Sequence, residues 1–532
     1  MAHSLVSASA AVLVMLTCGV AAGAEVTFVQ ITGEQFTYNG QIYKIKGTNY
    51  YPQDHMWADM WSSWDWNAIQ HEIGLISDLG INAVRILVPY SNGGWGGRNV
   101  PASRLKMLED LVNAFGEAGI RSCVTLFDWE TSFPAAGTSR ESDHIAHLNA
   151  IVMRLRNNPY VLCWDVKNEP DHPSNIGGHD NWDNNPSKRN QIVSWLERMC
   201  NAVRQRDPNH PVSAGLRWWQ NVEDVIHFVD IAMFHSYWPN IDQQITDTKG
   251  YMGANKKPIL VEEWGWPSNP SPGYNGGVLT TNFTETDQLA VYQNHLPAFE
   301  AHDIAGGLQW MTFDAGPYST NPNESFERHF GLWRYGYALK PAGVYYRDNF
   351  IVQHFPVEPD IVPPKSVTGL KAVVANSKVM LSWSMPDDRD VVGAVVRYST
   401  TSMPQTPQDG ILLADVPGMT SSGASVTHLR PRIGTWHYYA VFAHDSTPNY
   451  AQPAFISVQT LIPGDFDLDG DIDMIDFGRL QACISGTGVP QTRPECQSAK
   501  LDEDDDVDQE DLRLFTGCIS GSGVPVDPDC TQ

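Results

Sequence analysis

Tyr160-Val-Leu-Cys-Trp-Asp-Val-Lys-Asn-Glu-Pro170 is a mostly apolar run that ends in a carboxylate and is stopped by proline. Such a run reads as a strand buried on both faces, and proline cannot continue a central strand. Pro258-Ile-Leu-Val-Glu-Glu-Trp-Gly-Trp-Pro267 has the same make. Outward from these two, similar short runs stand at Tyr43–Asn49, Ala83–Val88, Arg121–Phe127, Val212–Gly215, Ile231–His235 and Gly306–Met311. With Val161–Asn168 and Ile259–Glu263 they make eight predicted strands. Amphipathic helical patterns lie between most of them, at Trp66–Leu79, Ala102–Ala118, His144–Arg156, Gln191–Gln205 and Glu285–His302. Eight strands alternating with helices over residues 25–355 predict a (β/α)₈ (TIM) barrel. A doubly wound open sheet is the alternative. The absence of a Gly-rich phosphate turn in the sequence speaks against it.

A barrel of this kind works at the C-terminal ends of its strands. Glu169 ends the fourth predicted strand and Glu263 the seventh. Two carboxyl groups about 5 Å apart across an anomeric carbon are what cleavage of a glycosidic bond with retention requires. One is an acid that later acts as a base; the other is a nucleophile. Glu262 competes with Glu263, but neighbouring strand residues face opposite ways, so only one of them is expected to reach a substrate.

On these residues, positions 40 to 350 resemble glycoside hydrolase family 5, of the clan with catalytic glutamates on strands four and seven. The resemblance maps Asn168-Glu169-Pro170 onto the acid/base motif and Glu263-Trp264-Gly265 onto the nucleophile motif. The Trp-Gly that follows selects Glu263 over Glu262. It further implies that Arg85 holds the nucleophile ionised, with pairing of a buried Arg85 to another carboxylate such as Asp165 as the plainer reading. Asn168 would bind the 2-hydroxyl, Tyr237 would hydrogen-bond the nucleophile and His235 would position the acid/base. Trp310 would floor the cleavage subsite. Asn49, Asp128 and Trp129 close strands one and three and are candidate substrate contacts, with turn chemistry as the alternative. Phe127-Asp-Trp-Glu130 stands where the family often has a histidine after strand three, so substrate preference is not carried over.

Residues 356–364 are a Pro-rich linker, expected to be an extended spacer. Residues 365–460 show short alternating strands, Val379–Trp383, Gly393–Tyr398, Ser425–Leu429 and His437–Ala443, which predict an antiparallel β-sandwich. Trp383, Leu429 and Tyr438-Tyr439-Ala-Val-Phe442 resemble a fibronectin type III module.

Residues 463–532 contain a repeat: Asp476-Phe-Gly-Arg-Leu-Gln-Ala-Cys-Ile-Ser-Gly486 returns as Asp511-Leu-Arg-Leu-Phe-Thr-Gly-Cys-Ile-Ser-Gly521. Ahead of the first copy, Asp465, Asp467, Asp469, Asp473 and Asp476 occupy the ligand positions of a Ca²⁺ loop. Gly470 sits at the sharp turn, and Asp471 at the position whose backbone carbonyl coordinates. The second copy offers Asp502, Asp504, Asp506, Asp508 and Asp511, with Lys500 at the first position and Asp505 in place of the glycine, so weaker or altered binding is expected there. The pair resembles a small α-helical type I dockerin, which implies a cohesin-type scaffold or cell-surface partner.

The chain carries a net charge of −26, and from Asp465 onward seventeen acids face four basic residues, a balance of −13. That excludes nucleic acid as a partner and fits a cation-binding tail. Residues 1–24 read as a signal peptide, with an apolar stretch Ala10–Val20 and an Ala22-Gly-Ala24 cleavage site. No other segment approaches the roughly 20 apolar residues of a membrane helix. Cys483, Cys496, Cys518 and Cys530 predict two short disulfides, while Cys123 and Cys163 read as core residues.

These readings predict a secreted or surface-associated retaining hydrolase of β-1,4-glucan or mannan. No cofactor is expected for its chemistry, and Ca²⁺ is structural. An exo-acting β-glycosidase and an inactive carbohydrate-binding protein are the rivals.

Overall fold

The structure is a computed structural model. It describes residues 27–268, 274–275, 278–279, 283–316, 326–356, 360–375, 378–502, 504–527 and 530. The expected signal peptide lies outside the described residues.

Eight parallel strands form one sheet: β1 Ile45–Asn49, β2 Ala83–Pro89, β3 Arg121–Asp128, β4 Val161–Asn168, β5 Val212–Gly215, β6 Ala232–Ser236, β7 Ile259–Trp264 and β8 Gly306–Gln309. Their order is β5-β4-β3-β2-β1-β8-β7-β6. The two ends meet at a bridge between Leu216 and Phe234, where the His235 N–H donates to the Leu216 carbonyl at 2.8 Å, so the sheet is a nearly closed barrel. Helices follow the strands: α1 Trp66–Asp78, α2 Ala102–Glu117, α3 Ser139–Leu155, α4 Pro186–Arg206, α5 Val222–Val225, α6 Ile241–Met252, α7 Glu285–Ala301 and α8 Pro341–Asn349. The main core lies between sheet and helices.

Two helices, α3 and α4, start five residues earlier than the hydrophobic periodicity suggests, because polar caps set them. Thr138 accepts from the Glu141 N–H ahead of α3. Asn185 caps α4, whose first residue is Pro186. Both devices satisfy donors that the first turn leaves unpaired.

An antiparallel meander, Gln30–Thr32, Gln35–Tyr38 and Gln41–Ile42, precedes the barrel. Phe36, Tyr38 and Tyr43 pack with Cys123, Leu162, Cys163, Met233 and Leu260 in one core cluster. Cys123 and Cys163 are thus buried free thiols, as is Cys200.

Two antiparallel sheets follow. β9 Thr368–Ala375, β10 Lys378–Ser384 and β13 Gly423–Leu429 make one; β11 Gly393–Ser399, β12 Ile411–Pro417, β14 Trp436–His444 and β15 Ala454–Gln459 make the other. Trp383 and Leu381 from the first share a core with Val396, Tyr439 and Val441 from the second. The sandwich is not held off by a spacer. Arg154 of α3, almost fully buried, donates to Glu109 of α2 at 2.8 Å and to Asp415 of β12 at 2.9 Å. The Asn113 and Asn158 side chains donate to the Ser446 carbonyl. A proline-rich joint constrains the chain locally, but it cannot oppose a buried ion cluster that forms across it.

Among its described residues the last segment has two α-helices, α9 Met474–Cys483 and α10 Gln509–Gly517. Cys483 is bonded to Cys496, and Cys518 to Cys530. No helix among the described residues is long and apolar enough to cross a membrane.

Candidate active site

Glu169, Glu263, His235 and Tyr237 stand at or just past the C-terminal ends of barrel strands, and Arg85 lies within β2 beneath them. β4 ends at Asn168, and the next residue, Glu169, takes φ +43°, a left-handed conformation that costs a residue with a Cβ on the order of 1–3 kcal/mol. Pro170 follows, so the chain leaves the strand abruptly and the carboxyl turns over the barrel mouth. One oxygen of Glu169, one of Glu263 and a nitrogen of His235 lie within 4.8 Å of one another. The two glutamates, far apart in sequence, therefore meet.

Glu263 is held at both oxygens. Arg85 Nη1 donates to Oε1 at 2.6 Å and the Tyr237 hydroxyl donates to Oε2 at 2.7 Å. Arg85 is fully buried and serves three carboxylates. Its Nη2 donates to Asp165 at 2.7 Å and its Nε lies 3.0 Å from Glu262. The expected pairing with Glu263 and the plainer pairing with Asp165 both exist.

Strict alternation along β7 fails. A register shift between Val261 and Glu263 marks a bulge, and both glutamates enter the barrel. Glu262 is fully buried. Burial pushes its carboxyl up to about 7 against the Arg85 charge. It lies beneath the site, and Gly215 makes room for it: a Cβ there would fall 1.7 Å from Glu262 Oε2.

His235 Nδ1 is 3.0 Å from Glu169 Oε1 and 3.3 Å from Glu263 Oε2, while its Nε2 is 3.5 Å from Glu262. Burial opposes a charged imidazole, but Glu263, Glu169 and Glu262 together push it up to about 10. Burial likewise opposes a charged Glu169. The His235 hydrogen bond and charge, with His172 and Arg217 behind them, bring it down to about 2. Both shifts belong to one coupled pair, Glu169 and His235, which meet at 3.0 Å.

The remaining predicted residues are placed as follows. Asn168 Oδ1 accepts from Arg85 Nη2 at 3.0 Å. Trp310 lies 6.0 Å, ring to ring, from Tyr51 in an edge-on arrangement. Trp129 is 54% exposed and edge-on to Trp57 at 6.4 Å, so its ring is free to meet a ligand. Asp128 is buried, and burial pushes it up to about 6 against Lys167 and Arg85. Asn49 is not where a substrate contact must be. It is fully buried, its Nδ2 donates to the Glu262 and Leu308 carbonyls, and its Oδ1 accepts from Arg85. Its place is under Arg85, fixing the guanidinium.

Two participants were not predicted. Thr125 of β3 accepts from Arg85 Nε at 2.9 Å and donates to Asp165 at 2.7 Å. Its alternation with the apolar residues of β3 was a usable signal. Glu327, on a turn after β8, lies beside Trp310; burial, then the charge of Glu263, pushes it up to about 7. No sequence signal marks it, since only tertiary structure brings that turn to the cleft.

A parallel barrel with two facing glutamates at its C-terminal rim is an arrangement suited to glycoside hydrolysis. Residues 38–295 match the model of cellulase (glycosyl hydrolase family 5). A mannan endo-1,4-β-mannosidase 9 of Oryza sativa subsp. japonica is 26% identical over 193 residues, 30% of this chain and 44% of that protein. The chain thus spans less than half of that relative. A mannan endo-1,4-β-mannosidase C of Aspergillus terreus is 22% identical over 368 residues, 56% of this chain and 87% of that one. The solved exo-β-1,4-mannosidase from Opitutaceae bacterium strain TAV5 aligns at 20% identity over 58% of this chain and 59% of its own, with a TM-score of 0.45.

Proposed function

We propose that the protein is an exported, retaining endo-glycanase acting on β-1,4-linked mannan or glucan. The observation that carries this reading is the approach of Glu169 and Glu263 within 4.8 Å on one barrel face. An approach of that order supports a covalent, retaining mechanism over inversion, which places the carboxyls further apart.

In the first step Glu263 attacks the anomeric carbon while the proton shared by Glu169 and His235 passes through Glu169 to the departing oxygen. The glycosidic bond breaks as the ester bond forms. In the second step Glu169 takes a proton from water, the water oxygen bonds to the anomeric carbon, and Glu263 leaves as carboxylate. Arg85 and Tyr237 fix the attacking oxygens, and Trp310 provides an apolar floor for the sugar. The names of the relatives favour mannan over glucan.

The sandwich is read as a fibronectin type III-like module and the C-terminal repeats as dockerin-like. The tail suits Ca²⁺: Asp467 Oδ1, Asp471 Oδ1 and Asp506 Oδ1 are buried without a hydrogen-bond partner. Asp465, Asp467, Asp469, Asp473 and Asp476 would hold one ion and Asp502, Asp504, Asp508 and Asp511 a weaker one. The ions would neutralise the loops and order them for docking to a cohesin-type protein.

The test is reducing-sugar release from mannan, glucomannan and cellulose by wild type and Glu263→Gln, with the anomer first formed read by NMR. Release of β-anomer by wild type and background from the variant are expected. First release of α-anomer, or equal release by both proteins, overturns the reading.

A further inference from the structure

Strand β7 carries two glutamates into the barrel, and the chemistry described above uses one. Glu262 is left over, fully buried, with its two oxygens turned to different neighbours. Oε1 lies 3.0 Å from Arg85 Nε of β2 and accepts from the Cys123 thiol of β3 at 3.9 Å. Arg85 is shared with Asp165 of β4 and with Glu263, so it does not answer Glu262 alone. Oε2 turns to His235 of β6 and lies 3.5 Å from Nε2. Both of these facing atoms are buried, and neither has a hydrogen-bond partner elsewhere among the described residues. Gly215 of β5 leaves the space that Oε2 fills, and its carbonyl accepts from the Glu169 N–H at 2.8 Å.

The bond made by one imidazole nitrogen decides which proton the other carries. His235 Nδ1 faces Glu169 Oε1 at 3.0 Å. With a proton on Nε2 held toward the Glu262 carboxylate, the proton free to move is the one between Nδ1 and Glu169. That is the proton which the first step delivers to the departing oxygen. Without the hold, a neutral imidazole can keep its single proton on Nδ1 and leave Glu169 a carboxylate, unable to act as an acid. A buried carboxylate on the far nitrogen sets the tautomer of the histidine in hydrolytic triads in the same way.

We infer that Glu262 is a positioning residue that acts through His235, holding a proton on Nε2 so that the proton at Nδ1 serves Glu169; this rests on the glycanase reading above. Glu262 touches neither the sugar nor the reacting atoms. Its charge is also one of those that push the imidazole up, together with Glu263 and Glu169. Removing that charge weakens the hold of the imidazole on its proton, so the alkaline limb of kcat/KM should move to lower pH.

Glu262→Gln removes the charge and keeps the shape, and Arg85 retains Asp165 and Glu263 as partners. Two substrates with the same glycone separate the routes: a β-1,4-hexasaccharide of mannose or glucose, and the matching dinitrophenyl glycoside, whose phenolate departs without a proton. We expect kcat/KM on the hexasaccharide to fall about 10²-fold, and the loss on the aryl glycoside to be at least about tenfold smaller. Nitrogen NMR of the imidazole should find the proton on Nε2 in wild type and show it shifted toward Nδ1 in the variant. Equal losses on both substrates would mean that Glu262 works through Arg85 on the nucleophile, and would overturn the inference. An unmoved alkaline limb would overturn it too. Should the variant not fold, the wild-type spectrum decides: an imidazole with no proton on Nε2 sinks the assignment. Wild-type failure on both substrates would instead remove the glycanase reading, and the role of Glu262 in it, while the tautomer would still be read.

Discussion

The barrel mouth and the C-terminal tail both crowd carboxylates together, and they answer the charge in opposite ways. Under the active face Asp165, Glu262 and Glu263 share Arg85, while Glu169 shares a proton with His235. In the tail, Asp465 accepts from the backbone N–H groups of Leu468, Asp469 and Gly470, and Asp476 from those of Phe466 and Asp473. Three carboxylate oxygens there meet no partner. Where the chain supplies its own cations, the field is fixed at folding and a proton can be moved within it. Where backbone dipoles do most of the work, the arrangement suits the Ca²⁺ binding proposed above.

Arg85→Met attacks the first arrangement most directly. It leaves three carboxylates buried without their cation. Breaking a buried cluster at one partner costs about 3–5 kcal/mol, and kcat/KM should fall about 10⁴-fold as the nucleophile loses its fixed geometry. Chemical denaturation and hydrolysis rates check the two effects. A variant as stable and active as wild type would mean that the barrel does not depend on its internal cation.

His235→Gln is the gentler test, with about 10²-fold expected in kcat/KM. The sign of its pH effect follows from the shared proton. With His235 present, the pair keeps that proton toward the region of about 10. Without the imidazole only the Glu169 carboxyl can hold it, so the alkaline limb of kcat/KM should move to lower pH. An unmoved limb would show that His235 does not carry the proton.

The same contrast explains what could be read in advance. Strands β4 and β7 were legible because a buried parallel strand writes its own apolar run, and their terminal glutamates because a proline or Trp-Gly stops the run. The bulge that turns both Glu262 and Glu263 inward was not legible, and the space that the Glu262 carboxylate fills is left by Gly215, two strands away. Asn49 looked like a rim residue because it closes β1; its burial under Arg85 is set by strands far along the chain. The docking of the sandwich through Arg154 and Asp415 joins residues 261 positions apart, and neither end announces a partner. The acidic loops are the most local pattern in the sequence, because all the positions of the first fall within twelve consecutive residues, Asp465 to Asp476.

Removing Ca²⁺ with a chelator should then separate the two regions. An ion at a hundred times its Kd adds about 2.7 kcal/mol to the fold that binds it. Amide exchange at Ile472 and Val507 should therefore rise in the tail, while hydrolysis of a soluble glycan changes less than about twofold. Exchange rates by mass spectrometry and reducing-sugar assays check this. Loss of hydrolysis with the ion would mean that the tail and barrel are not independent.

The smallest expected effect lies inside the tail, where the two loops are themselves a comparison. In the first loop Asp465 gathers three N–H groups and Asp471 reaches across to the Gly523 N–H at 2.5 Å. In the second loop Lys500 stands at the position of Asp465, yet Asp506 reaches across to the Gly488 N–H at 2.5 Å. The cross-brace is kept in both copies, and the anionic anchor only in the first. Calorimetric titration should show one tighter and one weaker Ca²⁺ site. Asp465→Asn should abolish the tighter site, and Asp502→Asn should weaken only the other, by about 1 kcal/mol of binding energy. Were Lys500→Asp to leave the weaker site unchanged, charge at the first position would not be what separates the loops; the substitution should instead bring the two affinities together.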